Sequence, residues 1–326
     1  MKMRHLSWIM LPVIFLLAGC PGGDGGSGVG EGTTTPPVVY VSNSGSNDVS
    51  AYTINSSTGA LAVVAGSPFS AGTTPNAASV TPNGQFLYVA NGGSSNVSAY
   101  AIAAATGVLT AVTGSPFVAG TTPTAVTVSP NGSFLYVANS GSNDVSGYTI
   151  NNTTGALTAV TGSPFAAGTT PNGVAVESNS QFLYVANSGS KNVSAFAITV
   201  GTGVLTAVTG SPFAAGTTPT AVTVSPNGSF LYVANGGSNN VSAYTIAAGT
   251  GDLTAVAGSP FAAGTTPNGI TVEPNGQFLY VANGGGDVSA YTITAGTGVL
   301  TPLGGILGNP FPAGTTPSGI ATPGRP

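Results

Sequence analysis

Residues 217–264 read TTPTAVTVSPNG SFLYVANGGSNN VSAYTIAAGTG DLTAVAGSPFAAG, and this 48-residue unit decides the fold. Each of its four parts holds a short run of β-branched and aromatic residues, and Gly, Asn or Pro stands between the runs. Val, Ile, Tyr and Phe favour strands, whereas Gly, Asn and Pro favour turns. The unit therefore predicts four short antiparallel strands joined by tight turns.

The unit recurs along the chain at a constant spacing. The Tyr of the YV(A/S)N segment lies at positions 40, 88, 136, 184, 232 and 280, and each step is 48 residues. Ser-Pro-Phe recurs at the same interval, with a looser last copy at Asn309-Pro310-Phe311. Four antiparallel strands in about 40–50 residues are typical of one β-propeller blade. Residues 37–324 number 288, which is six times 48, so we predict six blades.

The chain begins and ends at different strands of the repeat unit. The chain enters the repeat at a second strand, Val38–Val41, and finishes on a first strand, Thr315–Pro323. Since a blade buries its faces only against its neighbours, an open row would leave two uncovered ends. We therefore predict an all-β, six-bladed β-propeller with four antiparallel strands per blade, closed by the C-terminal strand joining the N-terminal blade. The repeated Tyr is expected to pack between blades.

The N-terminus carries an export pattern. Residues 1–19 combine a basic start with the apolar run Leu6–Leu17, and Leu17-Ala18-Gly19-Cys20 resembles the bacterial lipoprotein box. We predict a signal peptide over 1–19, lipidation of Cys20 and a flexible linker over 20–36. The alternative is an ordinary signal peptide with a chance cysteine. Pro21 instead of Asp implies, by the same resemblance, an outer-membrane or cell-surface lipoprotein held at the membrane through its lipid alone.

Composition limits the partners. Charged residues make up 4% of the chain and the formal net charge is −4. Nucleic-acid binding requires clustered Lys and Arg, but beyond the N-terminus only Lys191 and Arg325 are basic. We therefore predict no nucleic-acid partner and no cofactor. His5 and Cys20 are the only residues of their types, so a processed chain contains no Ser-His-Asp triad and no histidine-ligated metal.

The YVAN strand, the Gly/Ser/Asn loop after it and VSAYTI together resemble the YVTN and lactonase-like β-propeller families. The resemblance covers about residues 37–324. Those families include 6-phosphogluconolactonase-type enzymes and surface proteins with no known chemistry. Their lactonase-like members usually have seven blades, whereas this sequence counts six.

A binding rim is the first candidate site. The loop after each second strand and the exit from each fourth strand lie at one end of a blade, and polar residues recur there. The rim residues are Asp48, Asn96, Asp144, Lys191, Asn192, Asn240 and Asp287. One interpretation is a ring of acceptors for a sugar, a cation or a partner. The favoured interpretation is structural: the Asn residues at 43, 91, 139, 187, 235 and 283 cap their strands through Asx turns.

Carboxyl groups are the second candidate site, and no catalytic residue is assigned among them. Glu177 and Glu273 replace a Thr or Ser of the other units, and Asp252 replaces an Ala or Val. A carboxylate base for lactone hydrolysis needs a desolvated Asp or Glu with oxyanion donors. We expect a binding or scaffolding module at the cell envelope, with a protein or glycan partner. The alternative is a lactonase-like hydrolase.

Deleting residues 315–326 tests the predicted closure. The last strand is expected to complete the first blade, so its loss should lower the melting temperature of the whole domain, which thermal unfolding by circular dichroism measures. An unchanged melting temperature would count against the ring.

Overall fold

The chain folds into six antiparallel sheets. In the computed structural model the described residues are 13–17, 37–304 and 310–321. Each sheet runs from an inner strand through a second and a third strand to an outer strand that is broken into two short pieces. Every regular element in this part of the chain is a strand, and it contains no helix able to cross a membrane. The predicted all-β class and the six four-stranded blades are confirmed.

Each blade takes five consecutive strands. The first three blades contain β1 (Val13–Leu17), β2 (Val38–Asn43), β3 (Asp48–Ile54), β4 (Leu61–Val63), β5 (Phe69–Ser70); β6 (Pro75–Val80), β7 (Phe86–Asn91), β8 (Asn96–Ile102), β9 (Leu109–Ala111), β10 (Phe117–Val118); β11 (Pro123–Val128), β12 (Phe134–Asn139), β13 (Asp144–Ile150), β14 (Leu157–Ala159), β15 (Phe165–Ala166). The last three contain β16 (Pro171–Val176), β17 (Phe182–Asn187), β18 (Asn192–Ile198), β19 (Leu205–Ala207), β20 (Phe213–Ala214); β21 (Pro219–Val224), β22 (Phe230–Asn235), β23 (Asn240–Ile246), β24 (Leu253–Ala255), β25 (Phe261–Ala262); β26 (Pro267–Val272), β27 (Phe278–Asn283), β28 (Asp287–Ile293), β29 (Leu300–Pro302), β30 (Phe311–Pro312).

The Ser of Ser-Pro-Phe repairs the break in the outer strand. In blade 2, β9 and β10 both pair with β8 and leave a gap between them. The Ala99 amide, which faces this gap, donates to Ser115 Oγ at 2.9 Å. The same bond recurs in the first five blades. A backbone donor that the broken strand would otherwise leave without a partner is thereby satisfied.

The hydrophobic core lies between the blades. Five apolar clusters each join two consecutive blades, for example Phe86 and Tyr88 of blade 2 with Leu135 and Leu157 of blade 3. The second strands of blades 2 to 5 are buried along their whole length because a neighbour covers each of their faces. The predicted packing of the repeated Tyr between blades is therefore correct for five of the six, whereas Tyr280 of blade 6 is partly exposed.

One hydrogen bond recurs at all five interfaces between consecutive blades. The Tyr of the second strand donates to a glycine carbonyl in the turn between the third and outer strands of the next blade, over 2.8–3.1 Å. Burial raises the pKa of these five phenols far above the ordinary value. They therefore stay protonated and keep donating at any physiological pH.

The join between the chain ends differs from the prediction. The inner edge of β2 is paired with β1, in the register Val13 opposite Ser42 through Leu17 opposite Val38. The C-terminal segment was expected there, but it lies instead against blade 6. An unpaired strand edge attracts any extended segment, and a segment of the predicted signal peptide covers this one. The rest of that peptide, Cys20, the linker over 20–36 and residues 322–324 lie outside the described residues.

Gly155→Ala tests the packing of turns on neighbouring blades. Gly155 has φ +74°, and a Cβ there would lie 2.3 Å from Phe86 Cδ1 of the preceding blade. Gly201 has φ +80° with nothing within 4 Å of such a Cβ, so Gly201→Ala is the control for backbone strain. The clash should make Gly155→Ala about 1–3 kcal/mol more destabilising than the control, as measured by denaturant unfolding. Equal losses would contradict this account of the interface.

Candidate functional site

The predicted rim residues share one structural role. Six of the seven begin a third strand, and the Oδ1 atom of each accepts a hydrogen bond from the Nδ2 of the Asn that ends the second strand, over 2.6–2.9 Å. Asp and Asn offer the same oxygen to this bond, which explains why they alternate between blades. The structure places these six residues in six different sheets. Ligand binding at this rim stays a prediction.

The capping Asn residues act differently from the predicted Asx turns. The Asn139 side chain donates to Asp144 Oδ1 and to Ser146 Oγ, and it thus links the second strand to the third. In five blades the Oδ1 of this Asn is buried without a partner among the described residues. Because the feature recurs in blade after blade, it belongs to the repeat and marks no single site.

Lys191 is the seventh rim residue and has a separate role. It is exposed, has φ +57°, and its carbonyl accepts from the Ala215 amide at 3.0 Å. At the same position in other blades, Asn47 and Asn143 use their side chains to accept from a threonine amide at 2.8 Å. A Lys side chain is a donor only, so blade 4 departs from the repeat here.

Blade 4 also departs from the repeat at its opposite end. Its turn between inner and second strands reads Glu177-Ser178-Asn179-Ser180, where other blades have Thr, Ser or Glu followed by Pro-Asn-Gly. Ser180 keeps the positive φ (+62°) that glycine holds in the other blades. A serine in that conformation is strained, and its Oγ accepts from the Asn131 amide of blade 3 at 3.1 Å. The loss of the Pro-Asn-Gly motif is the signal in the sequence that marks this turn.

Glu177 is buried in this turn. In blade 3 the equivalent Ser129 bonds the Phe134 amide and Asn131 within the blade. Glu177 is 4% exposed, and its Oε2 atom has no partner among the described residues. Burial raises the pKa of the Glu177 carboxyl, while a hydrogen bond with Asn179 lowers it by less. The side chain is thus a carboxyl group held away from water.

The Glu177 carboxyl reaches the next blade. A Cβ built on Gly228 of blade 5 would lie 2.8 Å from Glu177 Oε1 and 3.1 Å from Ser178 Oγ. The carboxyl and the hydroxyl therefore approach one point above Gly228, which lacks the side chain that would fill it. Ser178 and Asn179 are exposed, so this point lies just beneath the surface.

Asp252 of blade 5 adds a second carboxyl group. It accepts from Thr250 Oγ1 at 3.1 Å through Oδ2, while its Oδ1 is buried without a partner in the described part of the chain. Tyr184 Oη donates to the adjacent Gly251 carbonyl at 3.0 Å. After burial, the charges of Glu177 and then Asp252 further raise the pKa of Tyr184. Both carboxyl groups therefore lie near one phenol at the boundary of blades 4 and 5.

Glu273 is the third buried carboxyl group, and it lies apart from the other two. Glu273 of blade 6 occupies the repeat position that Glu177 holds in blade 4. Its Oε1 atom is buried without a partner among the described residues. In the same part of the chain, no three His, Cys, Asp or Glu side chains gather as a metal-binding group would require. The structure thus places Glu177 and Asp252 at the boundary of blades 4 and 5 and leaves Glu273 two blades away from Glu177.

Comparison with known proteins gives the family. A family model described as "Lactonase, 7-bladed beta-propeller" matches residues 33–120, 113–217 and 207–312. No curated protein matches the chain.

Solved structures share the fold at low sequence identity. A putative 6-phosphogluconolactonase from Bacteroides uniformis has a TM-score of 0.71 at 20% identity, over 83% of this chain and 80% of that one. The periplasmic gluconolactonase of Pseudomonas aeruginosa has a TM-score of 0.70 at 21% identity, over 86% and 83%. Hydrazine synthase from Kuenenia stuttgartiensis has a TM-score of 0.62 at 20% identity, over 91% and 92%. The family matches span most of the repeat region, and the chain belongs to the lactonase β-propeller family.

Proposed function

We propose that the protein hydrolyses a lactone at the boundary of blades 4 and 5, with Glu177 as the general base. The observation that carries the proposal is the buried Glu177 carboxyl with a raised pKa, in the one turn that abandons the repeat. Family membership supports the reaction class. The binding or scaffolding role predicted first from the sequence receives no support from the comparisons.

The reaction needs one proton acceptor and one oxyanion donor. Glu177 takes a proton from water as the water oxygen attacks the lactone carbonyl carbon. Ser178 Oγ–H, which approaches the same point above Gly228, donates to the oxyanion. The ring C–O bond then breaks, and the leaving alkoxide receives the proton back from Glu177, which gives the open hydroxy acid.

The scarcity of cations indicates an uncharged substrate. Lys191 lies at the opposite end of blade 4, and Arg325 lies outside the described residues. A phosphorylated sugar lactone would find no arranged cationic partner among the described residues of this site. We therefore propose an uncharged sugar lactone.

A lactone panel with Glu177→Gln tests the proposal. The parent protein should open uncharged sugar lactones faster than phosphorylated ones. Glu177→Gln should lower kcat/KM by about 10²–10⁴-fold, since a base is removed. Glu273→Gln, the same change at the same repeat position, should leave the rate unchanged. Equal losses in both variants, or no turnover of any lactone, would reject the assignment; retention on glycans without turnover would favour the binding module.

The pH dependence of unfolding shows whether Glu177→Gln loses activity because the base is removed or because the fold is destabilised. The raised pKa means that the folded state binds the Glu177 proton more tightly than the unfolded state does, so ionisation destabilises the fold as pH rises. At pH 7 Glu177→Gln should therefore melt no lower than the parent. Any gain in melting temperature over the parent should disappear in acid, below the ordinary pKa of glutamate. A Gln variant that is less stable at pH 7 would contradict the burial argument.

Export and lipidation remain proposals. The P. aeruginosa neighbour is described as periplasmic, which is a statement about that protein. For this chain the proposal rests on residues 1–20, and Cys20 would hold the propeller at the outer membrane or cell surface.

A further inference from the structure

We infer that a cavity between blades 3 and 4 binds an uncharged sugar ring, so that the lactone opened at Glu177 belongs to an oligosaccharide. This blade 3–4 cavity has a volume of about 440 Å³, which lies within the roughly 300–1,000 Å³ that is typical of small-molecule sites. Its lining residues are Asn131, Ser133, Phe134, Thr149, Ile150, Val200 and Gly201. The inference rests on the proposed function, because it names the substrate class of that reaction.

The cavity lies at the same end of the propeller as the Glu177 turn and touches it. Asn131, on the cavity wall, belongs to the turn between the inner and second strands of blade 3, and its amide donates to Ser180 Oγ at 3.1 Å. Ser180 closes the Glu177 turn, since its own amide donates to the Glu177 carbonyl at 2.8 Å. A turn of this kind holds its first and last Cα atoms within about 7 Å. One turn therefore separates the cavity from the candidate base.

Three apolar side chains supply a surface for the C–H groups of a sugar ring. Phe134 and Ile150 of blade 3 are buried, whereas Val200 of blade 4 is 84% exposed. The residues at the position of Val200 in the other blades are Ser56, Ala104, Asn152, Ala248 and Ala295. Blade 4 thus presents a larger apolar side chain here than any other blade does, and a ligand in the cavity would remove part of it from water.

An amide and a hydroxyl on the cavity wall are left available for a ligand. In blade 2, Asn83 Nδ2 donates to Gln85 Oε1 at 3.1 Å. Ser133 of blade 3 stands at the position of Gln85, and its short side chain offers no such amide oxygen. Asn131 Oδ1 accepts from Ser129 Oγ at 2.7 Å and from the Ser133 amide at 3.0 Å, which leaves Asn131 Nδ2 as a donor. Together with Ser133 Oγ it can bind the hydroxyl groups of a sugar.

The chemistry of the lining selects an uncharged polar ligand. All seven lining residues are neutral, so a charged group would lose hydration without gaining a partner of opposite charge. An alkyl chain would cover Phe134 and Val200, but it would also cover Asn131 Nδ2 and Ser133 Oγ without replacing their hydrogen bonds to water, which is costly. A sugar ring offers both an apolar face and hydroxyl groups, and it therefore matches this wall.

The boundary of blades 5 and 6 provides a matched comparison within the same chain. The equivalent residues there are Asn227, Ser229, Phe230, Thr245, Ile246, Ala295 and Gly296. The lining is thus repeated, except that Ala295 replaces Val200. The neighbouring turn also differs, because Gly276 stands at the position of Ser180 and has no hydroxyl group to accept from the Asn227 amide. A substitution at this boundary therefore repeats the chemistry of the change away from Glu177.

Kinetics with Ser133→Gln test the inference, with Ser229→Gln as the matched control. Blades 2, 4 and 6 carry Gln at this position, so both changes suit the fold. The measured quantity is kcat/KM for cellobionolactone and maltobionolactone, each divided by kcat/KM for gluconolactone. At least one ratio should exceed 1 in the parent, and Ser133→Gln, which fills the cavity, should lower it about tenfold. Ser229→Gln should keep the parent ratio; equal ratios in all three proteins would overturn the inference.

Titration calorimetry with cellobiose and maltose separates the sugar site from the proposed hydrolysis, because neither sugar is a lactone. The parent and Ser229→Gln should bind at least one of them, and Ser133→Gln should bind it about tenfold more weakly. If this difference is found but no lactone is opened, the sugar site stands and the hydrolase proposal fails. If lactones are opened but the parent binds neither sugar, or Ser133→Gln binds as the control does, the sugar site is rejected and the hydrolase proposal stands.

Discussion

The structure depends on one recurring contact, in which the aromatic second strand of each blade packs on the glycine turn of the next blade. Tyr88 illustrates it: the ring is fully buried and its hydroxyl donates to the Gly155 carbonyl at 2.9 Å. A single sheet of this kind cannot bury both faces of Phe86 and Tyr88 by itself, so each blade takes its stability from its neighbours. Because only 4% of the residues are charged, this apolar contact holds the domain together.

The same contact places the candidate site. Because blades 4 and 5 pack closely, the Glu177 carboxyl of blade 4 reaches the Gly228 turn of blade 5, and the charges of Glu177 and Asp252 both raise the pKa of Tyr184. A repeat protein with near-identical units offers six copies of every environment. Chemistry can be localised only where one unit differs, and blade 4 alone has Ser in place of both the Pro and the Gly of this turn. The carboxyl is therefore desolvated by an interface that exists for stability.

The repeat predicted the fold well because one 48-residue unit is read six times. The strand type, the number of strands per blade and the core position of Tyr40 and its counterparts all followed from it. The broken outer strand did not, since the role of Ser115 Oγ as a substitute for a backbone acceptor depends on three-dimensional pairing. The inner strand β1 was also missed, because residues 13–17 were assigned to an export signal.

Only part of the candidate site could be predicted from the sequence. Glu177 was noticed as a charge, but its neighbours Ser178 and Ser180 were not, although the loss of Pro-Asn-Gly marks them. The rim residues looked like a possible ligand ring, yet in the structure Asp144 and its counterparts accept hydrogen bonds from buried Asn side chains. The roles of Glu177 and of the rim residues depend on three-dimensional contacts. The spacing of residues within one repeat does not give those contacts.

The distance between the first and last blades tests the account most directly. Spin labels at Ser57 and Gln277 of the processed protein would mark the first and the last blade, and labels at Thr153 and Gln85 would mark the equivalent positions across the interface of blades 2 and 3. Both pairs of sites are exposed. The account predicts that pulsed electron–electron double resonance gives the same distance distribution for the two pairs. A distinctly longer or broader distribution for the 57–277 pair would contradict it.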